Sequence, residues 1–466
     1  MSLEAPKVAA GYDVVIVGAG PAGIFAALEL VRLGVSDVLV LEKGKAIENR
    51  DCPARQHGCI HCATCAIMTG WGGAGAFSDG KLTLTSQVGG WLGDYVDPEP
   101  RDELLDYADR LWLEYGATRE VHGPDAETAE RLVADAAEAG MRLVPMRVRH
   151  LGTERSPLVL AAMRASLEAS GVTVRTGAAV TSLAESGGRI TGVRLADGTR
   201  IEARAVIACP GREGADWLTL QARLLDLVLE SNAVDIGVRV ECAAKIMEPL
   251  TDPLYEAKLL YRTPTFGDEV RTFCMNPYGE VTCESYGDIV TVNGHSFADS
   301  RTENTNFAVL VSQRFTEPFH EPITYGESVA RLANLLGEGI LVQRFGDLAH
   351  GRRSTPERIA RGKVRPTMPA AAPGDLSFAL PYRHLTGIIE FIDAMDALAP
   401  GLAGPDTLLY GVEVKFYSSR LALDRDLMTR IGGLFAAGDG AGVTRGLLQS
   451  SASGVLAARA ARSMLE

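Results

Sequence analysis

Four of the eight cysteines lie within a short segment that is suited to thiol chemistry. Cys52, Cys59, Cys62 and Cys65 are spaced C-x6-C-x2-C-x2-C, with His57 and His61 between them. Cys62 and Cys65 could form a redox pair that exchanges electrons with a neighbouring cofactor. Alternatively, all four thiolates could bind zinc or an iron–sulfur cluster, or the thiols could be reduced and simply packed. The sequence leaves these three interpretations open.

A glycine-rich turn, Gly18-Ala19-Gly20-Pro21-Ala22-Gly23, follows the short apolar run Asp13–Val17. In such a strand-to-helix turn, Gly18 allows a tight bend, Gly20 lets the backbone approach a diphosphate, and Gly23 lets the helix pack on the strand. The N-terminus of the helix adds partial positive charge. Glu42 and Lys43 end the next apolar run, where an acidic side chain can bind ribose hydroxyls. The pattern predicts a dinucleotide site.

Further elements are needed to place this turn in a sheet. Apolar periodicity predicts a βαβ unit over residues 13–41, and a meander of three antiparallel strands over residues 172–209, with turns at Gly187-Gly188 and Asp197-Gly198. The predicted helices are Arg101–Tyr115, Ala126–Ala139 and a third with Ser156 as N-cap, Pro157 at its first position and Gly171 beyond its end.

The C-terminal segment favours FAD over NAD as the dinucleotide. An apolar strand, Leu434–Ala437, runs into Gly438-Asp439-Gly440, and Gly446 precedes an apolar helix. This arrangement resembles that of glutathione-reductase-like and hydroxylase-like flavoproteins. The resemblance implies that Asp439 binds the ribityl chain and that the backbone around Gly446 and Leu447 faces the flavin pyrimidine. It also implies that Val180 lies near the adenine, and that Ala208, Gly211 and Gly438 lie along the cofactor.

A second glycine-rich segment, Gly70–Lys81, contains Gly72, Gly73 and Ala76 among apolar residues. We expect it to pack against the isoalloxazine ring, because a backbone without Cβ atoms can lie against a flat surface; the alternative is a flexible surface loop. Together with Gly411–Lys415, Ser418–Arg420 and Gly438–Gly442, this segment closely resembles a bacterial and archaeal family of uncharacterised FAD-dependent dehydrogenases. The resemblance implies FAD binding and oxidoreductase activity, without a substrate.

Two features bear on the reaction. Glu413 and Lys415 alternate on a predicted strand, so their side chains share one face, which for a charged pair is usually a solvated one. The family resemblance implies instead that this strand lies beside the flavin, where we expect Glu413 to assist proton transfer or substrate orientation. The chain has no second strand-to-helix G-x-G-x-x-G turn. A dedicated NAD(P)H domain is therefore not expected, and a small-molecule substrate, NAD(P)H or another electron carrier would meet the flavin directly.

Composition limits the class of protein. The formal net charge of −13 over 466 residues argues against a nucleic-acid partner. Neither a signal peptide nor an unbroken apolar stretch long enough to span a membrane is evident, so we expect a cytoplasmic location.

The predicted fold is α/β, with a Rossmann-like, glutathione-reductase-type FAD domain (residues 1–90, 150–216 and 411–466), a helical insertion (91–149) and an α+β substrate or cap domain (217–410). The predicted function is an FAD-dependent dehydrogenase or reductase that moves a hydride between a substrate and flavin N5. The alternatives are a thiol- or metal-linked electron-transfer flavoprotein and a non-catalytic flavin-binding sensor.

Overall fold

The fold is taken from a computed structural model, which describes residues 8–52, 62, 64–77, 80–151, 155–230, 232–254, 256–286, 289–295, 301–316, 319, 321–415 and 420–466. Contacts between Cα atoms divide the chain into two compact units. The first unit comprises Met1–Val121, Arg147–Glu230 and Ser418–Glu466, and the second comprises His122–Met146 and Ser231–Tyr417. The segment predicted as a helical insertion, residues 91–149, therefore contributes to both units.

The helices are α1 (Pro21–Arg32), α2 (Pro98–Glu114), α3 (Ala126–Glu138), α4 (Arg155–Ala169), α5 (Ala215–Leu224), α6 (Ala244–Leu254), α7 (Pro322–Gly337), α8 (Phe345–Ala349), α9 (Pro356–Arg361), α10 (Tyr382–Met395) and α11 (Leu447–Leu465). Short 3₁₀ helices lie at Ile47–Asn49, Gly73–Phe77, Leu92–Asp94 and Leu376–Phe378.

The strands are β1 (Val8–Val17), β2 (Val38–Glu42), β3 (Lys81–Thr83), β4 (Met141–Val144), β5 (Val148–His150), β6 (Thr173–Thr176), β7 (Val180–Ser186), β8 (Arg189–Leu195), β9 (Arg200–Ala208), β10 (Leu229–Glu230), β11 (Val234–Ala243), β12 (Lys258–Arg262), β13 (Glu269–Asn276), β14 (Glu280–Tyr286), β15 (Ile289–His295), β16 (Asn304–Gln313), β17 (Leu341–Arg344), β18 (Ala372–Pro373), β19 (Leu408–Lys415), β20 (Arg420–Leu421) and β21 (Leu434–Ala436).

The first unit is built on a seven-stranded mixed sheet with the order β6-β2-β1-β9-β8-β7, in which β21 also pairs with β9. β6, β2, β1, β9 and β21 are parallel. Their shared direction brings the residues that follow β1, β2, β9 and β21 to one edge of the sheet. The predicted turns near Gly18, Glu42, Gly211 and Gly438 are therefore gathered there.

The βαβ unit and the antiparallel meander are confirmed. β7, β8 and β9 form the meander, but β9 is one strand with two roles. One edge of β9 pairs in parallel with β1 from Arg200 to Ala208, whereas its other edge pairs antiparallel with β8 at its first residues and in parallel with β21 at its last. The assignment of Ser156 as an N-cap is wrong, because α4 already includes Arg155 and Ser156 lies buried within its first turn. Pro157 is tolerated there because the first turn needs no intrahelical N–H donor.

Helix packing in the first unit depends on close backbone approach. α1 and α11 cross where a Cβ added to Gly454 would lie 2.0 Å from the carbonyl oxygen of Ala22. Only glycine fits at such a crossing. This contact fixes α11, and with it the C-terminal segment, against the helix that begins at the dinucleotide turn.

The second unit has an eight-stranded sheet with the order β18-β17-β19-β11-β16-β13-β12-β4 and a separate β14–β15 hairpin. Side chains of β11 alternate between the two faces of the sheet. Val238 and Val240 belong to the apolar core that also includes Ile388 and Ile392 of α10, whereas Arg239 and Glu241 lie on the opposite face. Among the described residues, no helix is long and apolar enough to cross a membrane.

Candidate functional site

The glycine turn between β1 and α1 is closed on one side and open on the other. A Cβ at Gly18 would lie 2.1 Å from the carbonyl oxygen of Cys209, and a Cβ at Gly23 would lie 1.9 Å from that of Gly18. At Gly20, the only heavy atom of the described residues near an added Cβ is the Cα of Gly73, 4.0 Å away. The turn is therefore locked in place, while the backbone of Gly20 stays accessible at the start of α1, where Pro21 follows.

The carboxylate of Glu42 is bound by the main chain of three segments. It is 6% exposed and accepts hydrogen bonds from the amides of Ala19 (2.9 Å), Gly44 (2.8 Å) and Gly70 (3.0 Å). A carboxylate has about four acceptor sites, so one remains for a ligand hydroxyl. Glu42 thus holds the two glycine-rich segments together, a role that the sequence did not indicate.

The segment Gly70–Phe77 is packed, and the surface-loop alternative is wrong. Trp71 is fully buried and its Nε1 donates to the carbonyl oxygen of Leu160 at 2.8 Å. The amide of Gly72 donates to the carbonyl oxygen of Ala19 at 2.7 Å, and Ala76 is buried within the 3₁₀ helix that follows. The segment lies directly against the dinucleotide turn.

Sequence reasoning missed Arg50, which holds this segment from the other side. Arg50 is 5% exposed, and its guanidinium donates to four carbonyl oxygens: Ala66 (2.9 Å), Ile67 (2.8 Å), Trp71 (2.7 Å) and Gly73 (2.9 Å). Burial lowers the pKa of Arg50 to about 10, although the nearby charge of Glu42 raises it. It remains a cation at neutral pH. No sequence signal singled it out, because Arg32 and Arg55 also lie between the two glycine-rich segments.

The ends of β9 and β21 meet beside the same turn. The amide of Ala437 donates to the carbonyl oxygen of Ala208 at 3.0 Å, and a Cβ at Gly440 would lie 2.2 Å from the carbonyl oxygen of Gly211. Gly438 has φ +79°, and a Cβ there would lie 3.1 Å from the Cβ of Ala22. These contacts bring the predicted residues from four strands into one connected group.

Two charged side chains predicted to bind the cofactor form ion pairs at this edge of the sheet. Asp439 accepts from Arg212 at 3.0 Å, with the Asp439 side chain 27% exposed and that of Arg212 55% exposed. Lys43 pairs with Glu213. Both pairs are accessible to solvent, so each contributes little to stability and can rearrange around a ligand.

The N-terminus of α11 lies against the glycine-rich segment. Gly446 is the N-cap residue and no side chain caps the helix, while a Cβ at Gly75 would lie 2.3 Å from the Cδ2 of Leu447. Val180, at the start of β7, follows Ala178, whose amide donates to the carbonyl oxygen of Glu42 at 2.9 Å. Val180 therefore lies near the end of β2, and its contact with the adenine stays a prediction.

The comparison with known proteins fits this geometry. The profile described as "FAD dependent oxidoreductase" matches residues 13–281, more than half of the 466 residues. The chain belongs to this family of FAD-dependent oxidoreductases. A second profile, "FAD-dependent protein, C-terminal domain-like", matches residues 234–416. An uncharacterised protein of Clostridium beijerinckii is 26% identical over an alignment of 467 positions, which covers 95% of this chain and 79% of the relative.

Solved structures with remote similarity include three oxidoreductases. The 3-ketosteroid-Δ4-(5α)-dehydrogenase of Rhodococcus jostii RHA1 is 14% identical, with 99% of both chains covered and a TM-score of 0.46. The L-amino acid deaminase of Proteus vulgaris is 13% identical, with 97% and 94% covered and a TM-score of 0.38. The L-proline dehydrogenase of P. horikoshii is 12% identical, with 98% and 93% covered and a TM-score of 0.37. TM-scores this low do not allow the substrates of these proteins to be assigned to this oxidoreductase.

The residues at the sheet edge fit FAD. Within the part of the chain that the structure describes, a Cβ at Gly211 would meet no heavy atom within 4 Å, and one at Gly446 would meet only the Cα of Gly89, at 3.9 Å. Together with Gly20, these glycines leave a backbone surface that a flat or extended ligand can approach. The N-termini of α1 and α11 supply the partial positive charge that a diphosphate and a reduced flavin require.

The cysteine segment is only partly described. Cys52 and Cys65 are half-buried and Cys62 is exposed, all three as free thiols. Cys59, His57 and His61 lie outside the described residues. Within the described part of the chain, no group of three or more His, Cys, Asp or Glu side chains could hold a metal ion. The thiol pair and the metal site both stay predictions.

In the second unit, Glu413 forms a buried ion pair. Its carboxylate accepts from Arg239 at 2.8 and 2.9 Å, and both side chains are fully buried. Lys415 Nζ lies 3.2 Å from the same carboxylate, which confirms that these two strand residues share a face. Burial raises the pKa of Glu413, but the charges of Arg239 and Lys415 outweigh it and hold this pKa below its ordinary value. An ionised carboxylate is better suited to orienting a neighbour than to donating a proton.

Proposed function

We propose that this FAD-dependent oxidoreductase transfers a hydride between a small-molecule substrate and FAD bound along the carboxyl edge of the seven-stranded sheet. The observation that carries the proposal is the connected group of backbone contacts from Glu42 through Ala19 and Gly18 to Cys209, with Gly211 and Gly440 beside it. These contacts join the ends of β2, β1, β9 and β21 around glycines that leave room for an extended ligand.

In this proposal, backbone groups hold most of the cofactor. Gly20, Pro21, Ala22 and the start of α1 would bind the diphosphate, and the remaining acceptor site of Glu42 would bind the adenosine ribose. Asp439 would bind the ribityl chain after exchanging its contact with Arg212. Bound FAD supplies the hydride acceptor or donor, its flavin N5.

Several other predicted residues would line the same ligand. Gly72, Gly73 and Ala76 would face the isoalloxazine ring, and Gly446 and Leu447 would present the N-terminus of α11 to its pyrimidine edge, where partial positive charge stabilises an anionic reduced flavin. The other residues that we expect to contact FAD are Lys43, Val180, Ala208, Gly211 and Gly438. The finer classification as a glutathione-reductase-type fold is supported by the parallel strands with an inserted antiparallel meander.

The electron partner is also part of the proposal. In one case the substrate itself reduces the flavin. In the other, NAD(P)H or another electron carrier reduces it by binding at the flavin face, with no separate binding domain of its own. Glu413, paired with Arg239, would assist proton transfer or substrate orientation. Cys62 and Cys65, or an iron–sulfur centre on the four-cysteine segment, would add a second redox step if they exchange electrons with the flavin. Zinc bound to the same thiolates has no redox chemistry and would be structural.

Absorbance spectroscopy with metal analysis of the purified protein tests this proposal. We expect a flavin spectrum, release of FAD on denaturation in a one-to-one ratio, and bleaching under anaerobic conditions by NADH, NADPH or a small-molecule donor. A protein that is colourless and does not take up added FAD would exclude the proposed function. Unchanged electron uptake by a Cys62→Ser variant would remove the thiol-linked alternative, and a flavin that no donor reduces would favour the sensor.

A further inference from the structure

Arg50 is a buried cation whose hydrogen bonds, within the described residues, all go to main-chain carbonyl oxygens. The guanidinium lies 4.7 Å from the centre of the Phe77 ring and donates to Ala66, Ile67, Trp71 and Gly73. A buried cation without a bonded carboxylate is unfavourable by itself. The four carbonyl contacts and the aromatic ring offset part of that cost, so the position of Arg50 depends on the conformation of the segment around it.

The four carbonyls belong to two different stretches of chain. Ala66 and Ile67 follow Cys65 in a tight turn, in which the amide of Thr69 donates to the carbonyl oxygen of Cys65 at 2.9 Å. Trp71 and Gly73 belong to the glycine-rich segment. Arg50 therefore links the turn that carries a thiol to the segment that lies on the dinucleotide turn.

On its far side, the glycine-rich segment contacts the cofactor turn directly. A Cβ at Gly73 would lie 3.1 Å from the Cα of Gly20, and the amide of Gly72 donates to Ala19. A shift of Gly73 would therefore displace the backbone of Gly20 or open the contact between them. One guanidinium lies between the Cys65 turn and the backbone proposed to bind the FAD diphosphate.

We propose that Arg50 is a positioning residue for FAD, which fixes the glycine-rich segment in its binding conformation and couples the Cys65 turn to cofactor occupancy. This inference rests on the proposed FAD site. It predicts that FAD tightens the carbonyl cluster around Arg50, and that the tightened turn shields the Cys65 thiol.

The geometry requires arginine and not merely positive charge. A planar guanidinium carries five donors in a fixed fork, whereas a lysine ammonium is a compact point charge on a flexible stem. Gly70 is adapted to the same side chain, because a Cβ there would lie 2.6 Å from the Cδ of Arg50. Arg50→Lys thus keeps the charge and loses the bridge between the two stretches.

The first experiment measures FAD affinity by titrating FAD into the flavin-free full-length chain and following fluorescence quenching. Arg50→Lys should weaken FAD binding by about tenfold or more, because several hydrogen bonds to a charged group are lost. Arg164→Lys is the matched control. Arg164 lies 6.0 Å from the ring of Trp71 in the same region, but it is paired with Glu168 at 2.9 Å, and its replacement should change the affinity by less than about twofold.

The second experiment measures the iodoacetamide alkylation rate of Cys65, resolved by peptide mass spectrometry, with and without saturating FAD. A purely structural role for Arg50 would not make the effect of FAD on this rate depend on Arg50. In the unmodified chain, FAD should slow alkylation of Cys65 several-fold, and in Arg50→Lys at saturating FAD this protection should be lost. Equal rates with and without FAD in the unmodified chain would refute the coupling, and an unchanged FAD affinity in Arg50→Lys would refute the positioning role.

If Arg50→Lys does not fold, as judged by circular dichroism, Phe77→Leu replaces it, because that change removes the ring beside the guanidinium and leaves the carbonyls in place. It should weaken FAD binding in the same direction by a smaller factor, and an unchanged affinity would again refute the inference. Failure of the unmodified chain to bind FAD would overturn the proposed function itself. An unmodified chain that binds FAD alongside variants that bind it equally would overturn only the inference.

Discussion

Replacing Glu42 with glutamine tests the link between the two glycine-rich segments. The substitution keeps the size and shape of the side chain but turns one acceptor oxygen into a donor. In the structure, one carboxylate oxygen accepts from Ala19, and the other accepts from both Gly44 and Gly70. If the glutamine oxygen keeps the two bonds to Gly44 and Gly70, its amide group must face the N–H of Ala19.

The expected loss of stability follows from these three bonds. A buried N–H without an acceptor costs about 1–3 kcal/mol. The two remaining bonds lose their charge assistance, at about 0.5 kcal/mol each, since hydrogen bonds to an ionised group are roughly twice as strong as neutral ones. Glu42→Gln should therefore lower the free energy of unfolding of the first unit by about 2–4 kcal/mol.

Urea unfolding followed by tryptophan fluorescence measures this change, because the buried Trp71 reports on the segment held by Glu42. Glu48→Gln is the matched control: Glu48 follows the same strand, its side chain is 58% exposed, and among the described residues the nearest cation, Arg164, lies 3.9 Å away. We expect the control to change stability by less than about 0.5 kcal/mol. Equal unfolding curves for the two variants would show that the carboxylate does not hold the glycine segments together.

Three further predictions address other parts of the chain. Burial lowers the pKa of His384 to about 4, so the unfolded chain binds more protons than the folded one below about pH 6.5, and the free energy of unfolding falls as the pH falls. His384→Phe should remove about 2 kcal/mol of that loss at pH 5, measured by urea unfolding at pH 5 and 7; identical pH profiles of the two proteins would contradict this. Gly23→Ala should destabilise the first unit by about 1–3 kcal/mol or more and impair FAD uptake. The control Gly11→Ala should be nearly neutral in a thermal melt, because among the described residues no atom lies closer than 3.7 Å to its added Cβ. Glu413→Gln should cost about 3–5 kcal/mol in the second unit, because Arg239 is left as an unpaired buried charge, and an unchanged urea midpoint would refute it.

The cofactor turn was predictable because its determinants are local. A strand, three glycines and a helix start occupy a dozen consecutive residues, and the steric reasons predicted for Gly18 and Gly23 are confirmed. The meander was predictable for the same reason, since its turns carry Gly187-Gly188 and Asp197-Gly198. In contrast, the double pairing of β9 depends on β8, β1 and β21 together, and no window of sequence contains that information.

The roles of single polar side chains were harder to predict. An acidic residue at the end of β2 predicts a ribose contact, but its bond to Gly70 joins positions 28 residues apart. Ser156 shows the opposite error: a serine before a proline is typical of a helix start, yet α4 begins earlier and buries that side chain. Local chemistry names the residue type, whereas tertiary contacts decide its partner.

The same distinction explains why the cofactor can be inferred and the substrate cannot. A dinucleotide is held largely by backbone amides and helix termini, and the glycines that expose this backbone leave a pattern in the sequence. A substrate is selected by a few side chains whose positions come from separate elements. Arg239 on β11 and Glu413 on β19, which form a buried ion pair, are 174 positions apart. Nothing in either strand alone distinguishes a structural ion pair from a substrate-orienting one, so the substrate must be identified by measuring which donors reduce the flavin.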